Sequence, residues 1–577
     1  MLRRLSRTAW PHALVVLAAL AIVVFEARRG GWPRTHENLR YLVLAEHFKE
    51  AFLAGQFWPR WLPEINGGYG YPTFVFYQPL FFFLMLPFRL VTGDPIVAAW
   101  LAIACALLIG ALASYKLCAR TGSRELGLFG AGLFLLAPYL YVNLLVRGDL
   151  SELLAMCLVP LALHFLRVVI DRWDAGDPTA RPLAGLAITI SAVLLAHPIT
   201  GILSCPSLAM ITLLGALRHR RIDGGLLLRV GLAGLAALAL ATPYWQPLVS
   251  LRPLVNLDAA FVDYYNPVRH TVHWKQFFAG SWGFGGSVVD SPDDKMPFVL
   301  GPLLFAAALT GVVVGWSHRF VRGAGVAVLL SIAVMTPALS VVWRLPVFSQ
   351  MQFPWRMLSV VVGLLVACSS GWATNPAFDS KMASGRRIRI AVLLALALFA
   401  AGWRPEQFKW RERLPSARAD VARLWREAPS DKKPHAGRNE FLPRTVKRLP
   451  APRGKGPMVE APPGVEVHPR AGHGPYDIAV EVAVSGPVEL VINQLYFPGW
   501  QVELNGQSLD SAELEKNLRE DGRIRVKLAQ SPARQLVEAH YSRPPGLVFR
   551  VAGVALGIML LLFTGWLDRR RARTVRS

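Results

Sequence analysis

The chain has 577 residues, of which 53% are apolar and only 17% charged, with five cysteines and a formal net charge of +24. Roughly a quarter of the residues in a soluble chain are charged, so this composition excludes a disordered chain, a disulfide-rich secreted module and an ordinary cytosolic enzyme. The apolar residues are gathered into long runs, and a run of about 18 or more reads as a membrane span.

Arg3, Arg4 and Arg7 precede the first apolar run, Ala13 to Phe25, and Glu26, Arg28 and Arg29 follow it without a small-residue cleavage site. This pattern predicts an uncleaved span rather than a signal peptide. Spans are predicted at 11–27, 96–118, 125–146, 151–170, 183–197, 199–217, 226–249, 297–316, 325–343, 354–373, 389–403 and 546–566. The apolar segment Phe74–Leu90 is interrupted by Pro79 and Pro87 and is expected to be re-entrant or interfacial. Non-helical backbone at membrane depth is tolerated where protein or a wet cavity surrounds it.

Basic clusters at Arg218–Arg221, His318/Arg319/Arg322, Lys381/Arg386/Arg387/Arg389 and Arg569–Arg571 all lie beside apolar runs. The positive-inside rule makes them cytoplasmic anchors. A basic surface for nucleic acid would need a soluble face and a motif of its own, and no nucleic-acid partner is expected. The resulting fold class is a polytopic α-helical membrane protein of about twelve spans with both termini cytoplasmic. Loops 28–73 and 250–296, the turns at Arg147–Glu152, His197–Pro198 and Arg344–Arg356, and the region 404–545 then all face outward.

Three regions follow: a multi-span domain over 1–403, an extracytoplasmic region over 404–545, and a final span with a basic cytoplasmic tail over 546–577. Residues 404–453 are charged and proline-containing, as in a short helix and linker. Alternating strand patterns appear at 480–484, 489–493, 501–504, 523–528 and 536–540, and Asn505-Gly506 is a favoured type I′ hairpin turn. These predict a small all-β, sandwich-like domain. Cys105, Cys118, Cys157, Cys205 and Cys368 all fall within predicted spans, so no disulfide framework is expected.

The first outward loop carries the densest chemistry, beginning Thr35-His36-Glu37-Asn38. A carboxylate such as Glu37 near the membrane surface is able to accept a proton from an attacking hydroxyl. His36 could share that role or bind phosphate. Alternatively Thr35 or Asn38 caps a helix and Glu37 complements its dipole. Arg60 and Trp61, in Trp58-Pro-Arg-Trp61, fit either interfacial anchoring or recognition of a lipid phosphate and a sugar ring. Asn66-Gly-Gly-Tyr-Gly-Tyr-Pro72, with Tyr69, fits a substrate loop or a turn-rich connector.

Arg147-Gly-Asp-Leu-Ser-Glu152 places three charges between two spans, where charges need partners or a water-filled cavity. An Arg147–Glu152 pair and an Arg147 phosphate contact are both open readings, with Asp149 or Ser151 as an N-cap. His197 precedes Pro198 at a helix turn, and Gln352-Phe-Pro-Trp-Arg356 pairs an aromatic with Arg356 at the mouth of a span. His270-x-x-His273 with nearby aspartates is a weak divalent-metal signal. No cofactor is firmly indicated. P-loop, HExxH and GxSxG patterns are absent, as are mid-span acids.

The acidic first loop, Trp58-Pro-Arg-Trp61, Asn66–Pro72, Arg147…Glu152, His197, Gln352–Arg356 and Glu440-Phe-Leu-Pro443 together resemble bacterial polytopic proteins of the 6-pyruvoyl-tetrahydropterin synthase-related membrane family. Tyr496-Phe-Pro-Gly-Trp500 followed by Asn505-Gly506 is similar to the outward domain of YfhO-type membrane proteins. Both groups look related to GT-C glycosyltransferases. That similarity implies a GT-C-like fold and inverting sugar transfer from a polyprenyl-phosphate donor in the bacterial cytoplasmic (inner) membrane, with Glu37 at the position of the base. The expected partners are membrane lipid, a polyprenyl-phosphate-linked sugar and an envelope glycan or lipid acceptor. A flippase of lipid-linked glycans and a non-enzymatic envelope-assembly protein are the rival readings.

Overall fold

The computed structural model describes residues 2–374, 413–414 and 440–574, apart from short breaks at 38, 120–123, 219–220, 262, 281–282, 284, 455, 472 and 543. The predicted span 389–403 and most of the predicted linker lie outside the described residues.

Six described helices have the length and apolar character to cross a bilayer: Trp10–Ala27, Pro95–Cys118, Leu150–Ala175, Pro198–Ala216, Pro354–Thr374 and Leu547–Arg571. Three further pairs bring the number to nine if each bent pair is one span, the bends being 45°, 65° and 85°. These bent pairs lie where the apolar pattern predicts single spans at 125–146, 226–249 and 325–343. The cause is local. Pro138 and Pro337 open the second helix of their pairs, and Pro243 is the second residue of its own. Proline cannot donate to the preceding turn, and it disfavours helical geometry in the residue before it.

In place of the predicted spans 183–197 and 297–316 stand the helices Ala180–Ala196, of 17 residues, and Pro302–Val314, of 13. Helix Leu80–Thr92 has 13 residues, about 20 Å at 1.5 Å per residue, short of the roughly 30 Å hydrocarbon core. Among the described residues, six to nine helices have the length and composition of a span, where apolar runs over the whole chain suggest about twelve.

The bundle has two chemically distinct ends. At one, Asp174 pairs with Arg218 at 2.8 Å and with Arg319, while Asp568 pairs with Arg229 and accepts from the amides of Thr179 and Ala180. At the other, loop 28–73, loop 250–296, the 337–357 turns and the C-terminal sheets pack together. There Phe441 N donates to Tyr71 Oη at 2.8 Å, Arg252 donates to Gln350 at 2.9 Å, and the His270 and Phe353 rings lie 4.9 Å apart.

The C-terminal region holds two antiparallel sheets. The larger orders Gln507–Ser508, Trp500–Leu504, Ser531–Tyr541, Asp477–Val484 and Val467–Pro469; the smaller orders Arg523–Leu528, Val488–Leu495 and Val459–Glu460. Val480 pairs opposite Val537, and both are buried. Asn505 and Gly506 both have positive φ, 53° and 77°, and bring Leu504 opposite Gln507, which is the two-residue type I′ connection.

Candidate functional site

The segment Arg147–Glu152 folds into a charged knot because each residue has a distinct backbone role. Tyr139, Asn143 and Arg147 recur every four residues, so they share one face as the helix widens to π geometry over Val142–Arg147. Gly148, at φ 67°, reverses the chain. Asp149 then caps Leu150–Ala175 by accepting from the Glu152 amide at 3.0 Å.

Arg147 Nη1 lies 2.7 Å from Glu152 Oε2, and Nη2 lies 3.1 Å from Asp149 Oδ2. Its guanidinium also covers the Trp355 ring at 4.8 Å. Glu152 is completely buried. Its Oε1 accepts from Tyr139 Oη at 2.9 Å and Ser359 Oγ at 2.6 Å, while Oε2 also faces Arg356 Nε at 3.6 Å and His197 Nε2 at 3.9 Å. His197 caps the helix Pro198–Ala216, its Nδ1 lying 2.8 Å from Thr200 Oγ1. Two arginines and two carboxylates balance formally, which meets the requirement that buried charges be paired.

The first loop lies directly over this knot. His36 N donates to Val146 O at 2.9 Å and Glu37 N to Arg147 O at 3.0 Å. Tyr41 Oη donates to Asp149 Oδ1 at 2.9 Å, and Tyr77 Oη donates to Tyr41 at 3.1 Å. Arg40 pairs with Glu37 at 3.1 Å and stacks over Tyr77 at 4.7 Å. Burial opposes the charge on Arg40, but Tyr77, Glu37 and Glu440 outweigh it and hold the guanidinium pKa above its ordinary value. Asp149 is likewise held well below the usual carboxylate range: burial alone raises it, and Arg147, His197 and Arg356 together overcome that.

The side chain of Glu37 keeps 29% exposure, against 11% for Asp149 and none for Glu152. A partly solvated carboxylate therefore stands at the edge of a charge-balanced network. Beside it, Arg40 Nε and Nη2 have no hydrogen-bond partner.

Asp149, Glu152 and His197 present ligand atoms within 4.8 Å of one another, the one such group among the described residues. Their fit to a resident metal is poor. Arg147 already lies between both carboxylates, Tyr139 and Ser359 hold Glu152, and Tyr41 holds Asp149. A dication would add charge to a balanced cluster and displace Arg147. At the weaker metal signal, His270 spends both ring nitrogens on Ser287 Oγ and Tyr264 O, while His273 is exposed at the start of Trp274–Phe277.

The structure thus brings Arg147, Glu152, His197 and Arg356 into contact and lays Glu37 and the exposed His36 over them. Arg60, Trp61 and Tyr69 lie elsewhere, where loop 28–73 meets the C-terminal region. Trp61 Nε1 donates to Gln494 at 2.8 Å, Tyr69 Oη donates to Ala451 O at 2.8 Å, and Arg60 donates to Pro243 O at 2.8 Å. Sequence reasoning passed over Arg40, Tyr41, Tyr77, Tyr139, Asn143 and Ser359. For Arg40 and Tyr41 a signal existed, three and four residues beyond Glu37. Tyr77 carried none, since its contact depends on how the loop folds back.

None of the curated proteins compared with the chain matches it. A family model described as the 6-pyruvoyl-tetrahydropterin synthase related domain of membrane proteins matches residues 74–401, more than half of the chain. The chain belongs to the 6-pyruvoyl-tetrahydropterin synthase related family of membrane proteins.

Proposed function

We propose that this protein is a GT-C-type glycosyltransferase of the bacterial inner membrane, moving a sugar from a polyprenyl-phosphate donor to an envelope acceptor on the extracytoplasmic face. The observation that carries this reading is Glu37, the most exposed carboxylate of the network, bonded through its amide to Arg147 and paired with Arg40.

In the transfer, the acceptor oxygen forms a bond to the anomeric carbon as the bond from that carbon to the phosphate oxygen breaks. The electron pair leaves with the polyprenyl phosphate, and the hydroxyl proton passes to Glu37. Arg40, with two unbonded N–H groups, holds the phosphate and stabilises its growing charge. Arg147 has a positioning role, because its guanidinium is committed to Asp149 and Glu152.

The test is transfer by full-length protein in vesicles loaded with a polyprenyl-phosphate-linked sugar and an envelope extract as acceptor. Glu37→Gln is expected to lower transfer by about 10²–10⁴-fold, the usual worth of a general base, at equal protein level and melting temperature. Full transfer by that variant overturns the assignment of Glu37. Movement of the lipid-linked sugar between leaflets with its anomeric bond intact overturns the transferase reading in favour of a flippase.

A further inference from the structure

A second site lies away from the Glu37 network, where loop 28–73, the C-terminal sheet and the head of the last helix meet. They enclose a groove of about 760 Å³ whose lining includes Phe57, Arg60, Tyr476, Tyr541, Leu547 and Arg550. Two arginines within it are almost wholly buried, Arg60 at 7% exposure and Arg550 at 5%. Arg60 Nη2 donates to Pro243 O at 2.8 Å and the guanidinium rests on Trp58, its centre 4.6 Å from the ring centroid. Arg60 Nη1 has no hydrogen-bond partner, and no carboxylate lies within ion-pair distance of Arg60 among the described residues.

Arg550 Nη1 donates to Pro545 O at 2.9 Å and Gln246 Oε1 at 3.2 Å, and its Nη2 donates to Pro544 O at 2.9 Å. The acid in the groove, Asp477, is exposed and lies 2.9 Å from His473. Burial lowers the Arg60 pKa to about 10, and the like charge of Arg550 adds to the effect. The buried donor left unmade on Arg60 is relieved by an anion.

The rim is apolar. Phe57 and Leu547 line the groove and are exposed, as are Val548 and Phe549 beside them. Leu547 opens the helix Leu547–Arg571, which is long enough to cross a bilayer, and Arg550 lies one turn inside it. That is the depth at which long basic side chains meet lipid head groups.

We infer that this groove binds the phosphate group of an anionic membrane lipid, with Arg60 Nη1 donating to a phosphate oxygen and the acyl chains running past Phe57, Leu547 and Phe549. The site is separate from the proposed transfer chemistry and stands whether or not the protein is a transferase.

Full-length protein, delipidated in detergent, is to be titrated with phosphatidylglycerol, phosphatidylcholine and inorganic phosphate. Retained lipid is read by native mass spectrometry and stability by thermal melting. Phosphatidylglycerol is expected to bind at one strong site, at least tenfold more tightly than phosphatidylcholine. Arg60→Gln is expected to weaken it at least tenfold, Arg60→Lys less, and the exposed Arg534→Gln not at all. If inorganic phosphate displaces the lipid head group at millimolar levels, the anion is recognised without its chains and the lipid source is overturned. If Arg60→Gln proves unstable, Phe57→Ser reads the rim instead, and it is expected to lower lipid retention. Wild-type affinity for phosphatidylglycerol in both Arg60→Gln and Phe57→Ser overturns the site.

Discussion

The side chain of Thr35 occupies the space into which a Cβ on Gly148 would project. This contact locks the first loop onto the turn between Arg147 and Asp149. It explains why the hydrogen bonds from His36 and Glu37 to the 146–147 carbonyls are available at all.

Gly148→Ala is therefore expected to act twice. A left-handed residue with a Cβ costs about 1–2 kcal/mol, and the new methyl must push Thr35 away. The expected result is a lower melting temperature and faster proteolysis within 28–73. Thr35→Gly in the same chain should relieve the clash and recover part of the stability, but not the loop's resistance, because the anchoring side chain is then gone and the backbone strain persists. Unchanged proteolysis of loop 28–73 in Gly148→Ala would show that Thr35 does not anchor it.

Glu152 supports a second expectation. Breaking a buried pair typically costs about 3–5 kcal/mol, and Glu152→Gln strands Arg147 and Arg356 against one remaining carboxylate. The double change Arg147→Met with Glu152→Leu leaves Asp149 to balance Arg356, and it should unfold at a higher temperature than Glu152→Gln alone. Thermal unfolding in detergent measures both. Equal losses in the two proteins would mean that charge imbalance is not the cause.

Much of this knot was legible in the sequence, and the limits have physical reasons. Arg147 and Glu152 stand five residues apart between two apolar runs, so their pairing was an open reading. The four-residue recurrence of Tyr139, Asn143 and Arg147 was also readable as one helix face. Ser359 lies three residues beyond Arg356, yet its bond to Glu152 spans 207 residues and needs the packed bundle. At Pro138, Pro243 and Pro337 hydropathy is continuous where backbone geometry is not, so the bends inside these runs were not legible. The alternating runs near 480 and 537 gave their strands plainly. Their docking against Trp61 depended on long-range pairing that no local pattern encodes.

His270 gives loop 250–296 a pH dependence. Its Nδ1 lies 2.9 Å from Ser287 Oγ and its Nε2 approaches Tyr264 O. Burial lowers its pKa, only partly offset by the Tyr264 carbonyl and by Asp294 and Asp290, with Arg269 adding to the fall. The neutral ring is thus favoured in the folded loop. Its stabilisation is full above the unfolded pKa of about 6.5 and declines as pH falls below that, because the unfolded chain then binds more protons. Protection of the 264–290 amides, taken relative to the intrinsic exchange rate at each pH, should fall between pH 7.5 and 5. His270→Gln should flatten the profile, and a flat profile in the wild-type chain would exclude His270 as its source.

Trp61 is where the helical bundle grips the C-terminal sheets. Its indole donates to Gln494 Oε1 at 2.8 Å and stacks on Tyr541 at 5.3 Å, with Trp500 edge-on at 5.8 Å. Gln494 in turn donates to Gly68 O at 3.2 Å and Pro63 O at 3.3 Å, and Leu495 N donates to Tyr69 O at 2.7 Å. Trp61→Phe keeps most of the ring packing but leaves Gln494 Oε1 unpaired, a cost of about 1–3 kcal/mol. Trp61→Ala empties the seam and should cost about 3–5 kcal/mol. Because these bonds join two regions rather than build either, the first loss should be local. Exchange of the Leu495 amide is expected to accelerate in Trp61→Ala before any change within the Leu150–Ala175 helix. Simultaneous loss of protection in both would mean that the sheets and the bundle unfold as one unit.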